Sequence, residues 1–294
     1  MITTVGELSA RRKTVILASC CLSLLIVSMD ATIVNVAIPS IRADLHASGP
    51  QMQWVVDIYT LVLASLLMLS GATGDRFGRR RVFQIGLTIF AVGSLLCSVA
   101  PDIHTLIGAR LIQGIGGSML NPVALSIISQ IFVGRVERAR ALGFWGAVVG
   151  ISMALGPIVG GFLIAAIGWR AVFWINLPIC AVAVALTAIY VPESKSATMR
   201  DIDPIGQLLA VLSLFGLVYV LIEGPALGWT HPRIVVTAVI AAAAFGAFLR
   251  YESRRHDPFI DLRFFRSIPF ASATVTAVCV FAAWGAFLFM MSLY

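Results

Sequence analysis

VILASCCLSLLIVSMDATIVNVAI, residues 15–38, decides the fold. The run carries one charge, Asp30, and Pro39 follows it. About 20 apolar residues of helix cross a bilayer core, so this stretch predicts a membrane span. It is too long for a removable signal peptide and lacks the small-residue cleavage site. Working outward, eight further apolar runs lie at 54–73, 82–100, 106–132, 141–167, 172–191, 205–222, 234–249 and 268–294. Of the 294 residues, 59% are hydrophobic and 12% charged, against roughly 25% charged in an ordinary soluble domain. Mean hydropathy is +0.96. A soluble fold of this size would leave much of that apolar surface in water. The expectation is an all-α polytopic membrane protein of nine spans.

The net charge of +7 does not point to nucleic acid, because the basic residues sit in short clusters between apolar runs. With the N-terminus inside, inner segments collect Arg11, Arg12 and Lys13, then Arg76, Arg79, Arg80 and Arg81, then Arg135, Arg138 and Arg140. Lys195, Arg200, Arg250, Arg254, Arg255, Arg263 and Arg266 continue the series. Outer loops hold only Arg42, Arg170 and Arg233, and Arg110 falls within a span. This asymmetry predicts a cytoplasmic N-terminus.

Enzyme chemistry is not visible. Neither Lys13 nor Lys195 follows a G-x-x-x-x-G, so no P-loop is present. Gly114 and Gly116 begin like a dinucleotide fingerprint, but Met119 stands where its third glycine would fall. No G-x-S-x-G elbow occurs. His46, His104, His231 and His256 read as residues of four separate loops, none beside a second ligand at metal spacing. Cys20, Cys21, Cys97, Cys180 and Cys279 all fall inside apolar runs and read as buried small hydrophobes. No metal is expected.

Three ionisable residues lie within the first four spans: Asp30, Asp57 and Arg110. Intramembrane charges are costly and usually face a cavity or one another. Counting along the runs puts all three in the outer half, at depths within about 6 Å of each other. A carboxylate–guanidinium cluster is geometrically allowed. Asp57 also reads as an interfacial, hydrated residue, and Arg110 as part of a structural ion pair. The sharper expectation is that Asp30 exchanges a proton for substrate, since burial and a nearby arginine act on its carboxyl in opposite directions. Glu223, at the end of span seven, reads as a solvated end residue.

Span four places Arg110, Gln113, Gly114, Gly117 and Asn121 on one helical stripe. Span five spaces Gly146 from Gly150, and Gly156 from Gly160, with Ser152 four before Gly156. Both stripes suit close helix contact, as a moving interface or as static packing. Pro157 predicts a kink. Between spans two and three, Gly71 to Arg81 reads as a tight inside turn with one acid, Asp75, among four bases. Asp75 suits a helix cap or a pairing across a gate.

Together these stretches resemble the major facilitator superfamily. Gly71 to Arg81 looks like its G-x-x-x-D-R-x-G-R-R signature, and Arg110 to Gly117 like its span-four R-x-x-Q-G-x-G pattern. Gly150 to Gly161, ending GPIVGG, resembles the span-five signature of antiporters. Asp30 to Pro39 (DATIVNVAIP), Trp54 to Tyr59 (WVVDIY) and Trp169 to Pro178 (WRAVFWINLP) resemble motifs of the fourteen-helix drug:proton antiporter branch. The resemblance covers residues 15–294.

It implies a six-helix N-terminal bundle over 1–191, a cytoplasmic linker over 192–204 and two additional helices over 205–250. Residues 251–294 would then supply a cytoplasmic loop and the first helix of an incomplete C-terminal bundle. It implies alternating access with substrate near the midplane, in the inner (plasma) membrane. Asp30 and Arg110 inherit proton coupling, and Asp57, Gln113 and Asn35 the substrate cavity. Gly71, Asp75, Arg76, Gly78 and Arg79 inherit the cytoplasmic gate. Gly150, Gly156, Pro157, Gly160 and Gly161 inherit the antiporter glycine motif. An acid at the position of Asp57 accompanies export of lipophilic cations in the family, so cationic drugs or dyes are the implied substrates. The resemblance implies no cofactor, the proton gradient being the energy source. The implied partners are protons, a small lipophilic substrate and the bilayer, with a missing C-terminal bundle or a partner chain needed for transport. An exporter of an endogenous metabolite or lipid is the alternative, and a truncated, non-transporting membrane protein the alternative from another class.

Overall fold

A computed structural model of the chain describes residues 9–196, 203–255, 264 and 267–293. Arg200, His256, Arg263, Arg266 and Tyr294 lie outside them. Among the described residues, nine helical stretches are long and apolar enough to cross a membrane. The chain divides into two compact units, Met1–Ile202 and Asp203–Tyr294.

The first unit contains α1 (Ala10–Leu45), α2 (Gly49–Phe77), α3 (Arg79–Ser98), α4 (Ile103–Ile131), α5 (Arg135–Ala166), the short α6 (Ala171–Trp174) and α7 (Asn176–Tyr190). The last two form one span, 171–190. The helices run beyond the apolar runs because capped, polar ends continue them. Ser9 caps α1, accepting from the Arg12 N–H. Ser48 and Gln51 form a reciprocal capping box at α2. Asp102 caps α4 through the N–H groups of His104 and Thr105 at 2.9 and 3.0 Å. His104 is therefore in the first turn of α4, not in a loop.

The turn expected over Gly71–Arg81 is almost entirely helical. Gly71–Phe77 belongs to α2 and Arg79–Arg81 to α3, so Gly78 alone makes the break, at φ 116. That backbone favours glycine. Gly78 also lies against Glu193, whose Oε1 a Cβ there would approach to 2.6 Å.

Glycines bring the helix axes together. A Cβ on Gly93 of α3 would lie 2.6 Å from the Gln113 backbone nitrogen of α4, and one on Gly116 would meet the Phe90 backbone. A Cβ on Gly114 would lie 2.9 Å from the Tyr59 carbonyl of α2. On α5, Gly156 abuts Thr32 and Gly160 abuts Ile33 of α1, whereas Gly146, Gly150 and Gly161 have nothing within 4 Å. α5 continues through Pro157 as one helical run.

Two apolar cores fill the bundle. One surrounds Phe83, Phe90, Leu120 and Ile128, the other Ile33, Ile41, Val55, Leu106 and Phe173. One end gathers the start of α1, the α4–α5 turn and the end of α7. There Lys13 pairs with Glu137 at 3.0 Å, and Arg12 Nε donates to the Tyr190 carbonyl at 3.0 Å. At the other end, Asp44 accepts from Trp169 at 3.0 Å and Arg170 at 2.8 Å.

The segment expected as a linker over 192–204 begins as part of this unit. Ser194 O accepts from the Arg79 N–H at 2.9 Å, and the Ser196 N–H donates to Asp75 O at 3.1 Å. The second unit contains α8 (Pro204–Leu227), α9 (Pro232–Glu252) and α10 (Ile268–Leu293). Buried Asp203 caps α8, pairs with Arg255 and accepts from the Tyr251 hydroxyl at 3.2 Å. Glu223 is half-buried within the last turns of α8 rather than a solvated end residue.

Candidate functional site

A buried polar cluster sits between α1, α3, α4 and α7. Asp30 is 0% exposed and Arg110 1%. Arg110 Nη1 donates to Asp30 Oδ2, and to Gln113 Oε1 at 2.7 Å. Its Nε donates to the Val55 carbonyl of α2 at 3.1 Å. The guanidinium lies 4.3 Å from the centroid of the Tyr59 ring, which gives the buried charge a cation–π partner.

Asp30 Oδ1 accepts from Gln113 Nε2 at 2.8 Å and from Asn176 Nδ2 at 3.1 Å. The same two amides donate to Ser94 Oγ, at 2.8 and 3.3 Å. Gln113 Oε1 also faces the Cys97 thiol at 3.8 Å. Arg110 and Gln113 meet Asp30 because they share a stripe of α4, three residues apart. Gly93, lying against the backbone of Gln113, lets α3 bring Ser94 alongside.

Asp57 does not join the cluster. It is half-buried and hydrogen-bonded to Gln53, one turn earlier on α2. Asn35 turns its amide back onto α1, donating to the carbonyls of Ala31 and Thr32 at 3.1 and 3.4 Å. Gln113 is fully buried, with its carbonyl and amino groups all engaged inside the cluster. Asn121, farther along the stripe, has a buried Oδ1 with no hydrogen-bond partner among the described residues. Ser94 and Asn176 carry no charge, so in the sequence nothing sets them apart from the other neutral polar residues of the spans. Asn176 lies in the stretch WRAVFWINLP, Trp169 to Pro178.

At the Gly78 end a second polar group forms. Arg79 holds Asp75 Oδ1 through Nη2 at 2.8 Å and Nε at 3.0 Å, and its Nη1 reaches Gln130 of α4 at 3.0 Å. Asp75 is thus paired within its own unit and caps no helix. Arg76 is exposed beside the Phe77 ring, and Gly71 packs against Pro122. Glu193 accepts from the Arg80 N–H at 3.2 Å and faces Arg81 at 3.6 Å. Beyond the spans, the Asp102 carboxyl is held below the usual carboxylate range, chiefly by the Thr105 N–H and then by its hydroxyl. Among the described residues, no three His, Cys, Asp or Glu side chains come together as metal ligands.

Residues 20–294 match the sequence model of the Major Facilitator Superfamily. The chain is 39% identical over 262 residues to the multidrug resistance protein Stp of Mycobacterium tuberculosis, covering 89% of this chain and 49% of that protein. It is 38% identical over 268 residues to the methylenomycin A resistance protein of Streptomyces coelicolor, covering 91% and 56%. To the tetracenomycin C resistance and export protein of Streptomyces glaucescens it is 36% identical over 272 residues, covering 92% and 50%. The chain thus spans about half the length of the curated relatives it matches. The POT family transporter PepTSo shares its fold, with a TM-score of 0.56, 17% identity, and coverage of 85% of this chain and 56% of that one. So does a bacterial homolog of the human lysosomal transporter Spinster, in an inward-facing and occupied conformation, with a TM-score of 0.54, 21% identity, and coverage of 87% and 65%. By its helices, and by a match that runs almost from end to end, the chain belongs to the major facilitator superfamily.

Proposed function

We propose that the chain supplies the proton-coupling bundle of a secondary transporter, one that exports lipophilic, cationic drugs or dyes by alternating access. One observation carries the reading: Asp30 of α1 and Arg110 of α4 are paired and buried from solvent. Each charge offsets part of the cost of burying the other. A proton on Asp30 removes half of that pairing. Arg110 then keeps Gln113, Val55 and the Tyr59 face, but loses its counter-charge. Protonation therefore changes how strongly α1 and α4 hold each other, and that change couples a proton to helix movement. No cofactor takes part, and the proton gradient supplies the energy.

Asp57, outside this pair and half-buried in α2, is an acid free of Arg110 that can meet a cationic substrate. The Asp75–Arg79–Gln130 group, which ties the α2–α3 turn to α4, serves as the cytoplasmic gate. The N-terminus is cytoplasmic and the membrane is the inner one. Substrate passes between this bundle and a second one. Several relatives bear the names of single compounds, among them a methylenomycin A resistance protein, a tetracenomycin C resistance and export protein and a probable actinorhodin transporter. These names favour a second reading, in which the substrate is one endogenous product.

Asp30→Asn, which keeps the shape of the side chain and removes its titration, tests the first reading in proteoliposomes of the full-length transporter. Dye movement driven by a pH gradient is expected to be lost, with helical content unchanged. Wild-type coupling in that variant overturns the reading. Competition of dyes against candidate metabolites separates the two substrate classes.

A further inference from the structure

We infer that Asn176 is the acceptor that Asp30 requires once protonated, and that the Asn176 side-chain amide turns over when the proton arrives. This rests on the proton-coupling reading of Asp30. Every group that reaches the Asp30 carboxylate is a donor: Arg110 Nη1 at Oδ2, and Gln113 Nε2 and Asn176 Nδ2 at Oδ1. That set fits an ionised carboxylate, which only accepts. It also sets the orientation of Asn176, because the reversed amide would put its carbonyl oxygen against a carboxylate oxygen. When a hydronium ion gives its proton to Oδ1, the O–H bond to the donor water breaks as the O–H bond to Oδ1 forms, and no other covalent bond changes. The net charge of the Asp30–Arg110 pair goes from zero to plus one. The new O–H now points into N–H groups, and a buried donor without an acceptor is unfavourable.

Among the described residues, one acceptor beside Asp30 has no hydrogen-bond partner. Asn176 is 0% exposed, and its Oδ1 has no hydrogen-bond partner among the described residues. A half-turn about its Cβ–Cγ bond exchanges Oδ1 and Nδ2 with almost no change in volume. The carbonyl then accepts from protonated Asp30, and the Ser94 hydroxyl, free to rotate, follows it. Gln113 cannot make the same exchange. Its Oε1 already accepts from Arg110 Nη1 at 2.7 Å, and a turned amide would set an NH2 against the guanidinium.

The titratable and charged groups facing Asp30 are Arg110 of α4, Tyr59 of α2, Cys97 of α3 and Cys180 of α7. α5, packed on α1 through Gly156 and Gly160, has no titratable side chain beyond Arg140, and α6 has none. Asn176 is therefore a positioning residue that serves both protonation states, as donor to the carboxylate and as acceptor from the acid.

Infrared difference spectroscopy of the full chain in lipid, with the asparagine side-chain carbonyl isotopically labelled, tests this. The chain has three asparagines, Asn35, Asn121 and Asn176, so an Asn176→Leu spectrum identifies one amide band by subtraction. Two changes are expected on acidification: the Asp30 carboxylic-acid band rises, and the Asn176 amide band shifts with the same midpoint. Asp30→Asn is expected to remove both. In Asn176→Leu the acid band moves to the higher frequency of an acid without an acceptor. Asn176→Ser, whose hydroxyl donates and accepts, restores the wild-type frequency, and it also assigns the amide band if the leucine variant does not fold. An acid band that titrates while the Asn176 amide stays fixed overturns the inference. So does an acid frequency indifferent to both substitutions. If no Asp30 acid band rises at any pH, the proton-coupling reading itself fails.

Discussion

Arg110 is a permanent charge placed where water does not reach, 1% exposed. Removing such an ion from water costs several kcal/mol, which only a close counter-ion and full hydrogen bonding can offset. Asp30, Gln113, the Val55 carbonyl and the Tyr59 ring do so together. Arg110→Leu leaves Asp30 buried without its partner, and destabilisation by about 3–5 kcal/mol is expected. Asp30→Leu combined with Arg110→Leu should cost clearly less than the two single losses added, because no lone charge remains. Denaturant unfolding of the four proteins in detergent completes this cycle, and additive losses would show that the pair does not act as one. At this scale the sequence was readable where a charge interrupts an apolar run, as at Asp30, Arg110 and Asp57. It was silent at Ser94 and Asn176, because neutral polar residues are common in spans and only a neighbour's approach gives them work.

Between elements, the small residues divide into two kinds that look the same in sequence. Gly93 and Gly116 let α3 and α4 touch, and Gly156 and Gly160 let α5 touch α1, while Gly146, Gly150 and Gly161 meet nothing within 4 Å. Gly116→Ala must push the Phe90 backbone away, at a cost of roughly 1–3 kcal/mol. Gly150→Ala fills open space and gains helix propensity worth up to about 1 kcal/mol. Thermal unfolding of this chain in detergent should place the two variants on opposite sides of the wild type. Equal destabilisation would mean that α5 packs along its whole glycine stripe. The four-residue spacings are visible in the sequence, but which glycine faces a neighbour depends on how each helix is rotated about its axis. The reading of Gly71–Arg81 as a turn has a related cause. Glycines and clustered charges suggest a loop, yet an Asp75–Arg79 pair four residues apart is also what bridges a one-residue helix break.

For the molecule as a whole, arginines and lysines give a topology that labelling can check. Lys195 and Arg233 are both exposed, and the loop assignments put them on opposite sides of the membrane. A cysteine replacing Lys195 should react with an impermeant maleimide only after the cells are opened. A cysteine replacing Arg233 should react in intact cells. The reverse pattern would turn the N-terminus outward. The ends of the first unit agree with this sorting. At one end Lys13 pairs with Glu137, Arg12 with the Tyr190 carbonyl, Arg79 with Ser194 and Arg80 with Glu193, while Asp44, Trp169 and Arg170 meet at the other.

The sequence by itself determined the nine spans, their order, the sorting of basic residues and the placing of an acid and an arginine at similar depth. The bilayer imposes length and polarity on each segment separately, so these properties can be read locally. Tertiary structure alone decided that Asn176 and Ser94 join Asp30, that Asp57 stays with Gln53, and that α5 buries half of its glycine motif. Those outcomes depend on helix rotation and register, which many contacts between distant residues set together, and no single segment encodes them.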